Sequence, residues 1–483
     1  MEAVKSRPEA VTADASGKAI ARAGEEAVGW YRWQICALLF VATTLNYMDR
    51  QSLALLKPTL QSPVHGIDLS EIQYAGIVSV FSAAYALGLL LAGPFIDRVG
   101  TKIGYAIALT VWTLAAMSHA LVSYHFVAAP LQSMVQGIAH LLGHLPLLHS
   151  SSWVANLGKL SGVVIGLGVA RFVLGLSEAG NFPAAIKATA EWFPKKERAF
   201  ATGIFNAGTN IGATLAPFLI GFIVVRVPWH WAFLATSPFA LCWLVLWLKR
   251  YHSPQQDPHV SQAELAYIHS DPPEPVSRIS WARLLPHRQT WAFLLGKVLT
   301  DPIWWFYLYW LPGFLNARYG LTITGMGLPL LVIYNTCTVG SVLGGWLPSR
   351  LVGRGWSLNR ARKTSMLFYA VAITPIVLVG RAHTLWQAVM LISLAAAAHQ
   401  AWSANLFTLV SDMFPRRAVA SVVGIGACGG SVAMMFFGVL IGIILQATHG
   451  NYLPVFLLAG SAYLVAIAAI QLLAPRLEMI SIG

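Results

Sequence analysis

Asp49 and Arg50 stand side by side where the first long apolar run, Trp33 to Leu45, ends in Asn46-Tyr47-Met48-Asp49-Arg50. If that run enters a membrane, each charge costs roughly 2.5–3.5 kcal/mol at mid-bilayer on insertion scales, and less near the interface. Charges kept there despite the cost mark the path of an ion or a polar solute. A guanidinium can hold an anion and a carboxylate can carry a proton, so the pair points to anion movement linked to protons. Two further acid–base sets repeat the theme. Arg171 and Glu178 lie seven residues apart, two helical turns, and share one face. Opposite charges on one stripe of an apolar helix face a bundle interior, as a structural pair or as working groups. Lys297 and Asp301 lie one turn apart and can pair. An anionic substrate could open that pair, or it could be purely structural. Lys297 is also near enough to the end of its run to snorkel to an interface.

These residues need helices that hold them in a bilayer. The 483-residue chain is 57% hydrophobic and 11% charged, against about 25% charged in soluble domains. Its mean hydropathy is +0.63. One span takes about 20 apolar residues, so the chain has room for about a dozen. The periodicity and apolar runs predict spans at 31–49, 72–96, 103–123, 161–182, 200–225, 230–248, 289–312, 324–346, 364–381, 385–410, 418–446 and 453–473. An even count puts both termini on one side. The net charge of +13 follows the positive-inside pattern rather than a nucleic-acid footprint. Basic residues gather in alternate segments: Arg98 and Lys102; Lys187, Lys195, Lys196 and Arg198; Lys249 and Arg250; Arg350, Arg354, Arg360, Arg362 and Lys363; Arg416 and Arg417. The opposite loops hold scattered ones such as Lys57, Lys159, Arg226, Arg318 and Arg381. That bias predicts cytoplasmic termini. Cys36, Cys242, Cys337 and Cys428 fall inside apolar runs with no CxxC spacing, so they read as packing residues rather than disulfides or ligands. The polar N-terminal stretch precedes a run with no cleavage signature, which reads as an uncleaved first helix.

The expected organisation is a cytoplasmic tail (1–30), a six-helix bundle (31–248) with an external insertion (124–160), a cytoplasmic linker (249–288), a second six-helix bundle (289–473) and a short tail (474–483). A weak repeat supports the two halves. Gly93-Pro94-Phe95-Ile96-Asp97-Arg98-Val99-Gly100-Thr101-Lys102 joins spans 2 and 3, and Gly345-Trp346-Leu347-Pro348-Ser349-Arg350 joins spans 8 and 9. Parallel halves with a site between them near mid-membrane are a recurrent transporter plan. The insertion carries His125, His140, His144 and His149. His140 and His144 have i, i+4 spacing, but no Cys or acid lies nearby, so an amphipathic interfacial segment is the reading and no metal is expected.

The Gly93–Lys102 string resembles the cytoplasmic loop motif of the major facilitator superfamily, G-x-x-x-D-R-x-G-x-[K/R]. Asn46-Tyr47-Met48-Asp49-Arg50, Arg171-Phe172-Val173-Leu174-Gly175-Leu176-Ser177-Glu178-Ala179-Gly180 and Glu191-Trp192-Phe193-Pro194 resemble its anion:cation symporter family. Gly296-Lys297-Val298-Leu299-Thr300-Asp301-Pro302-Ile303-Trp304-Trp305-Phe306-Tyr307 and His399-Gln400-Ala401-Trp402-Ser403-Ala404-Asn405-Leu406-Phe407 look like the hexuronate-transporter branch. The resemblance covers nearly the whole chain except 124–160 and the tails. It implies an all-α membrane protein with twelve helices in two pseudo-symmetric bundles.

The resemblance also assigns roles. Gly93, Asp97, Arg98, Gly100 and Lys102 become a gating motif. Asp49 and Glu178 become the proton-exchanging carboxylates, with Arg171 tuning Glu178. Arg50 becomes the holder of the substrate carboxylate, since its planar fork fits two oxygens, and Lys297 becomes a second cation from the other half. Tyr47, Tyr85, Asn206, Thr209, Tyr307 and Asn405 fall at pathway positions, where they serve substrate hydroxyls or hold helices together. Trp304 and Trp305 either stack on a sugar ring or line the membrane interface, and the interface is expected for at least one. Where galactonate-carrying relatives typically have polar amides, this chain has Lys297 and Ala427. The expected function is proton-coupled import of a hexuronate by a monomer in a bacterial inner membrane, with H⁺ as coupling ion and no organic cofactor. The alternatives are symport of an aldonate or aromatic acid, or export of a drug-like anion by proton antiport. A non-transporting sensor lacks an appended signalling domain. An enzyme lacks a GxSxG, HExxH or paired-ligand motif on the spans.

Overall fold

The computed structural model describes residues 29–144, 151, 156–270 and 281–480, and it is helical throughout its ordered elements. Most of the N-terminal tail, His149 and residues 271–280 of the linker lie outside the described residues. Each of the twelve expected spans falls on a helix. The first half contains α1 (Tyr31–Gln61), α2 (Glu71–Val99), α3 (Thr101–Leu121), α4 (His125–Gly143), α5 (Gly162–Glu178), α6 (Asn181–Trp192), α7 (Lys195–Val224) and α8 (Ser237–Arg250). Linker helices α9 (Gln262–Ile268) and α10 (Trp281–Leu284) follow. The second half contains α11 (Arg288–Tyr309), α12 (Leu311–Tyr319), α13 (Gly327–Gly353), α14 (Leu358–Ile373), α15 (Leu385–Met413), α16 (Arg416–Ala447) and α17 (Leu453–Leu473). Helices α5 and α6 form one span broken at Ala179–Gly180, and α11 and α12 run on through Trp310.

Among the described residues nine helical segments are long and apolar enough to cross a membrane by length and composition. The three spans that fall short are α1, α11 and α15. Their shortfall has a physical cause: α1 carries Arg32, Asp49, Arg50 and Lys57, α11 carries Arg288, Lys297 and Asp301, and α15 carries His399, Gln400, Asn405 and Asp412. Two of these helices, α1 and α11, hold Asp49, Arg50, Lys297 and Asp301, whereas the α5–α6 span is apolar enough to cross despite Arg171 and Glu178.

Helix α1 corrects one expectation. It does not end at Asp49 but continues to Gln61 through Pro58, so the Asp49–Arg50 pair lies inside the helix. Lys57, read from sequence as a loop residue, lies within α1 and is fully buried.

The halves repeat a packing scheme built on close helix approach. In the first half α1 meets α7 at Gly212, where a Cβ would stand 2.3 Å from the Thr44 carbonyl oxygen, and α2 meets α5 at Gly175, 2.5 Å from the Phe81 carbonyl oxygen. In the second half the equivalent pairs close at Gly426, where a Cβ would meet Phe293 of α11 at 2.2 Å, and at Gly340, 2.1 Å from the Ala397 carbonyl oxygen of α15. Small residues at such crossings let backbones come together where no hydrophobic force separates helix from lipid.

Contacts between the halves gather away from the linker, at the end of the bundle that holds the α1–α2 turn. Tyr74, Phe81 and Tyr85 of α2 pack on Trp305, Tyr309 and Trp310 at the end of α11. The Tyr74 hydroxyl donates to the Tyr309 carbonyl at 2.5 Å. Lys57 Nζ bonds Glu71 at 2.9 Å in its own half and donates to the Tyr452 hydroxyl of the other half at 3.2 Å. A Cβ at Gly442 of α16 would stand 2.4 Å from the Ala75 methyl of α2. We call this the far end. The linker end has its own anchor. Glu264 of α9 is buried, accepts from Arg32 Nη1 at 3.1 Å, and takes the free backbone N–H groups of Tyr31 and Arg32 at 3.3 and 3.1 Å. A linker carboxylate thus caps the start of α1.

Among the described residues of the insertion, His125–Gly143 form helix α4. Helix α4 buries Val135 and Ala139 and exposes Phe126, Met134, Ile138 and Leu141. Its start presses on Gly162 of α5. The His140 and His144 rings meet edge to face with Nε2 atoms 3.4 Å apart. Among the described residues no third His, Cys, Asp or Glu joins them.

Candidate functional site

Of the three acid–base sets suggested by spacing, Lys297–Asp301 forms as a pair, while the charged groups of the other two take partners on other helices or stand unbonded. Glu178 ends α5 and Arg50 lies in α1; the close crossing of α2 on α5 at Gly175 and Gly88 packs that end of α5 into the bundle core. There Glu178 pairs with Arg50 and not with Arg171. Arg50 Nη2 and Nε donate to Glu178 Oε2 at 2.8 and 3.1 Å, and both side chains are buried. Four rings enclose the Arg50 guanidinium: Tyr47 and Tyr85 at 4.8 Å, Trp305 at 5.0 Å and Phe81 at 5.2 Å from ring centroids. Trp305 comes from the second half, so the cage spans the interface between halves. Electron-rich faces stabilise a cation that has lost its water.

Asp49 points elsewhere. Its Oδ1 accepts a short hydrogen bond from Thr236 Oγ at the start of α8. Adjacent residues on a helix diverge by about 100°, and the two neighbours serve different surroundings. Arg171 is buried with no hydrogen-bond partner for Nε, Nη1 or Nη2 among the described residues. Its guanidinium lies 6.0 Å from the Phe81 ring, in the same core as Asp49, Glu178, Tyr74 and Tyr309.

In the second half Lys297 pairs with Asp301 at 2.7 Å, one turn along α11. Lys297 Nζ lies 4.5 Å from the Phe407 ring. Nearby, Trp304 stacks on His399 with planes 4° apart, and the His399 ring shares a 2.5 Å hydrogen bond with the Tyr463 hydroxyl. Both tryptophans therefore pack against the protein core, whereas an interface position was expected for at least one.

The remaining expected pathway residues fall in several settings. Tyr47 and Tyr85 sit on Arg50. Thr209 is buried on α7 and Asn206 is exposed on the same helix. The Tyr307 hydroxyl is buried and unpartnered among the described residues. Asn405 bonds the Gly344 carbonyl at 2.6 Å, tying α15 to α13, and its oxygen accepts from Arg362 at 3.5 Å. Within the loop motif, Asp97 pairs with Lys187 of α6 at 3.0 Å, and Gly100 turns the chain between α2 and α3 with φ +84°, where a side chain would be strained. Arg98 is exposed and the Lys102 carbonyl accepts from the Trp247 indole at 2.9 Å. A Cβ at Gly93 would meet nothing within 4 Å. Its second-half counterpart has no acid at Ser349, which bonds its own helix at Gly345.

Sequence reasoning missed Thr236, Phe81, Glu71 and Glu264 as partners. Thr236 and Phe81 carry no charge signal. Glu71 and Glu264 were visible acids whose partners come from helices distant in sequence.

The family description Major Facilitator Superfamily matches residues 39–425. The chain belongs to the Major Facilitator Superfamily. It is therefore a multi-pass membrane transporter and not an enzyme. Within that superfamily it is 31% identical over 420 residues to the hexuronate transporter of Escherichia coli K12, covering 86% of this chain and 87% of that one. It is 31% identical over 322 residues to the galacturonate transporter of Dickeya chrysanthemi, covering 66% and 81%. The inward open conformation of the xylose transporter XylE from E. coli shares the fold, with a TM-score of 0.66 at 15% identity over 92% of this chain and 96% of that one.

Proposed function

We propose that this transporter imports an anionic sugar acid, a hexuronate such as glucuronate or galacturonate, together with protons. The observation that carries the reading is the Arg50–Glu178 pair, buried inside an aromatic cage shared by both halves. Arg50 is an anion holder already engaged by a protein carboxylate. Protonation of Glu178 removes the competing charge and frees the guanidinium for a substrate carboxylate. Substrate anion and proton then bind together, which couples their fluxes. Lys297 supplies a second cation from the other half, and Tyr47 and Tyr85 supply hydroxyls beside Arg50. Asp49, bonded to Thr236, is the second proton-exchanging group. Kinship with the hexuronate and galacturonate transporters supports the substrate class.

The basic segments on the linker side support cytoplasmic termini in a bacterial inner membrane. The far end is then external, and its aromatic closure makes this a form shut to the outside. Two protons per monovalent anion would carry one net charge inward, worth about 2.3 kcal/mol per 100 mV. The test is uptake of a panel of labelled uronates and aldonates into proteoliposomes under imposed pH or sodium gradients. Accumulation of a uronate driven by external acid is expected. Strong galactonate uptake with no uronate uptake overturns the substrate assignment, and a sodium requirement overturns the coupling ion.

A further inference from the structure

We infer that Asp301 is a proton-accepting competitor of the substrate: the bound sugar acid takes Lys297 away from it, and Asp301 then takes a proton from solution. The inference rests on the substrate reading above. It gives the second half the logic that Arg50 and Glu178 give the first.

The geometry starts with the pair itself. Lys297 and Asp301 are held 2.7 Å apart on successive turns, with side-chain exposures of 8% and 18%. The carboxylate is the more open of the two. Neither has another ion-pair partner among the described residues. Helix α16 lies against the pair through glycines. A Cβ at Gly430 would stand 2.5 Å from Asp301 Oδ2, and one at Gly426 would stand 3.1 Å from Lys297 Cγ. The glycines leave room for the pair and offer it no replacement side chain. The groups facing it from elsewhere are Tyr47 of α1, Tyr463 of α17 and His399 of α15, besides Phe407 under the ammonium. No second cation is among them.

The consequence follows from charge balance. When a substrate carboxylate pairs with the Lys297 ammonium, Asp301 is left as an uncompensated carboxylate in an apolar setting. Such a group neutralises by taking a proton instead of remaining charged. The solution supplies one proton to an Asp301 oxygen, beside the one taken by Glu178, so the single substrate carboxylate shared by Arg50 and Lys297 is bound with one proton in each of these two pairs. A rigid structural pair would behave differently, because Asp301 would stay on Lys297 and binding would take up no proton there.

The experiment is calorimetric titration of the purified full-length protein with glucuronate and with galacturonate, in buffers of different ionisation enthalpy, which counts protons taken up per bound anion. Wild type should take up one more proton than Asp301→Asn. Asp301→Asn should bind several-fold tighter than wild type at pH 8 and lose most of the pH dependence of Kd contributed by this half. Gly430→Ala leaves every charge in place and displaces the carboxylate. It should also tighten binding at pH 8, and it decides the matter if Asp301→Asn fails to fold by size-exclusion chromatography. An unchanged proton count, weaker binding by folded Asp301→Asn, or no effect of Gly430→Ala overturns the inference and leaves the substrate reading standing. Failure of wild type to bind any sugar acid overturns the substrate reading, and this inference with it.

Discussion

Arg50 places both of its hydrogen bonds to Glu178 on a single oxygen, Oε2, while Oε1 is buried with no partner among the described residues. The carboxylate is thus half satisfied, and Oε1 is the oxygen open to a proton, whose arrival removes the charge that holds Arg50 at Oε2. Glu178→Gln mimics the protonated form at nearly constant shape. It should fold, exchange substrate across the membrane without a gradient, and lose at least about tenfold of its pH-driven accumulation, a difference of about 1.4 kcal/mol. Counterflow and gradient-driven uptake in the same liposomes measure the two. Retained accumulation removes Glu178 from the coupling path. Glu178→Ala is a harsher change, since it leaves Arg50 uncompensated. Breaking a buried pair this way costs about 3–5 kcal/mol, and poor folding is expected.

Arg50→Lys tests the cage. A lysine keeps the charge but not the planar fork that meets Oε2 with two nitrogens and lies among four rings. Loss of a partner in a buried, hydrogen-bonded charge pair costs about 2–5 kcal/mol, so hexuronate affinity should fall by well over tenfold. Binding titrations on folded protein check this. Affinity within threefold of wild type would mean the guanidinium does not hold the substrate.

Lys57 bridges the halves only where the far end is shut, through Glu71 on one side and Tyr452 on the other. Its ammonium also lies 4.9 Å from the Tyr74 ring. Opening the far end must break the Tyr452 contact. Tyr452→Phe removes that hydrogen bond and keeps the ring, so it should shift the population toward the far-end-open form. A reporter cysteine at Ser79, which lies against Gly438 in the closed interface, should then be labelled faster from the far side in Tyr452→Phe than in the parent. Equal labelling rates would assign closure to the aromatic plug alone.

Helical spans and charged residues were legible in the chain because lipid makes both conspicuous. The pairs were less so. Spacing put Arg171 and Glu178 on one stripe, and both are indeed buried, yet Glu178 turns to Arg50 of another helix. Periodicity within one helix says which residues face inward, while the partner depends on how α2 and α5 cross at Gly175. Lys57 shows the same limit at an element boundary. An apolar run ending at Leu45 looks like a helix end, but α1 continues because protein, not lipid, surrounds its second part.

Arg171 presents the sharpest conflict between folding and function. Its guanidinium is buried with no hydrogen-bond partner for any of its three nitrogens among the described residues. Desolvating a charge costs several kcal/mol, and a pair repays it only with good geometry. In this form Arg50 has taken Glu178 and Thr236 holds Asp49, so Arg171 is uncompensated by direct contact. An alternate form in which one of those carboxylates turns to Arg171 would recover that cost. Arg171→Met fills similar volume without charge. It should raise the melting temperature of the purified protein in detergent while lowering proton-driven uptake at least tenfold. Thermal unfolding and liposome uptake on the same preparation check both. A lowered melting temperature would show that Arg171 is already compensated in the resting protein, and unchanged uptake would remove it from the coupling path.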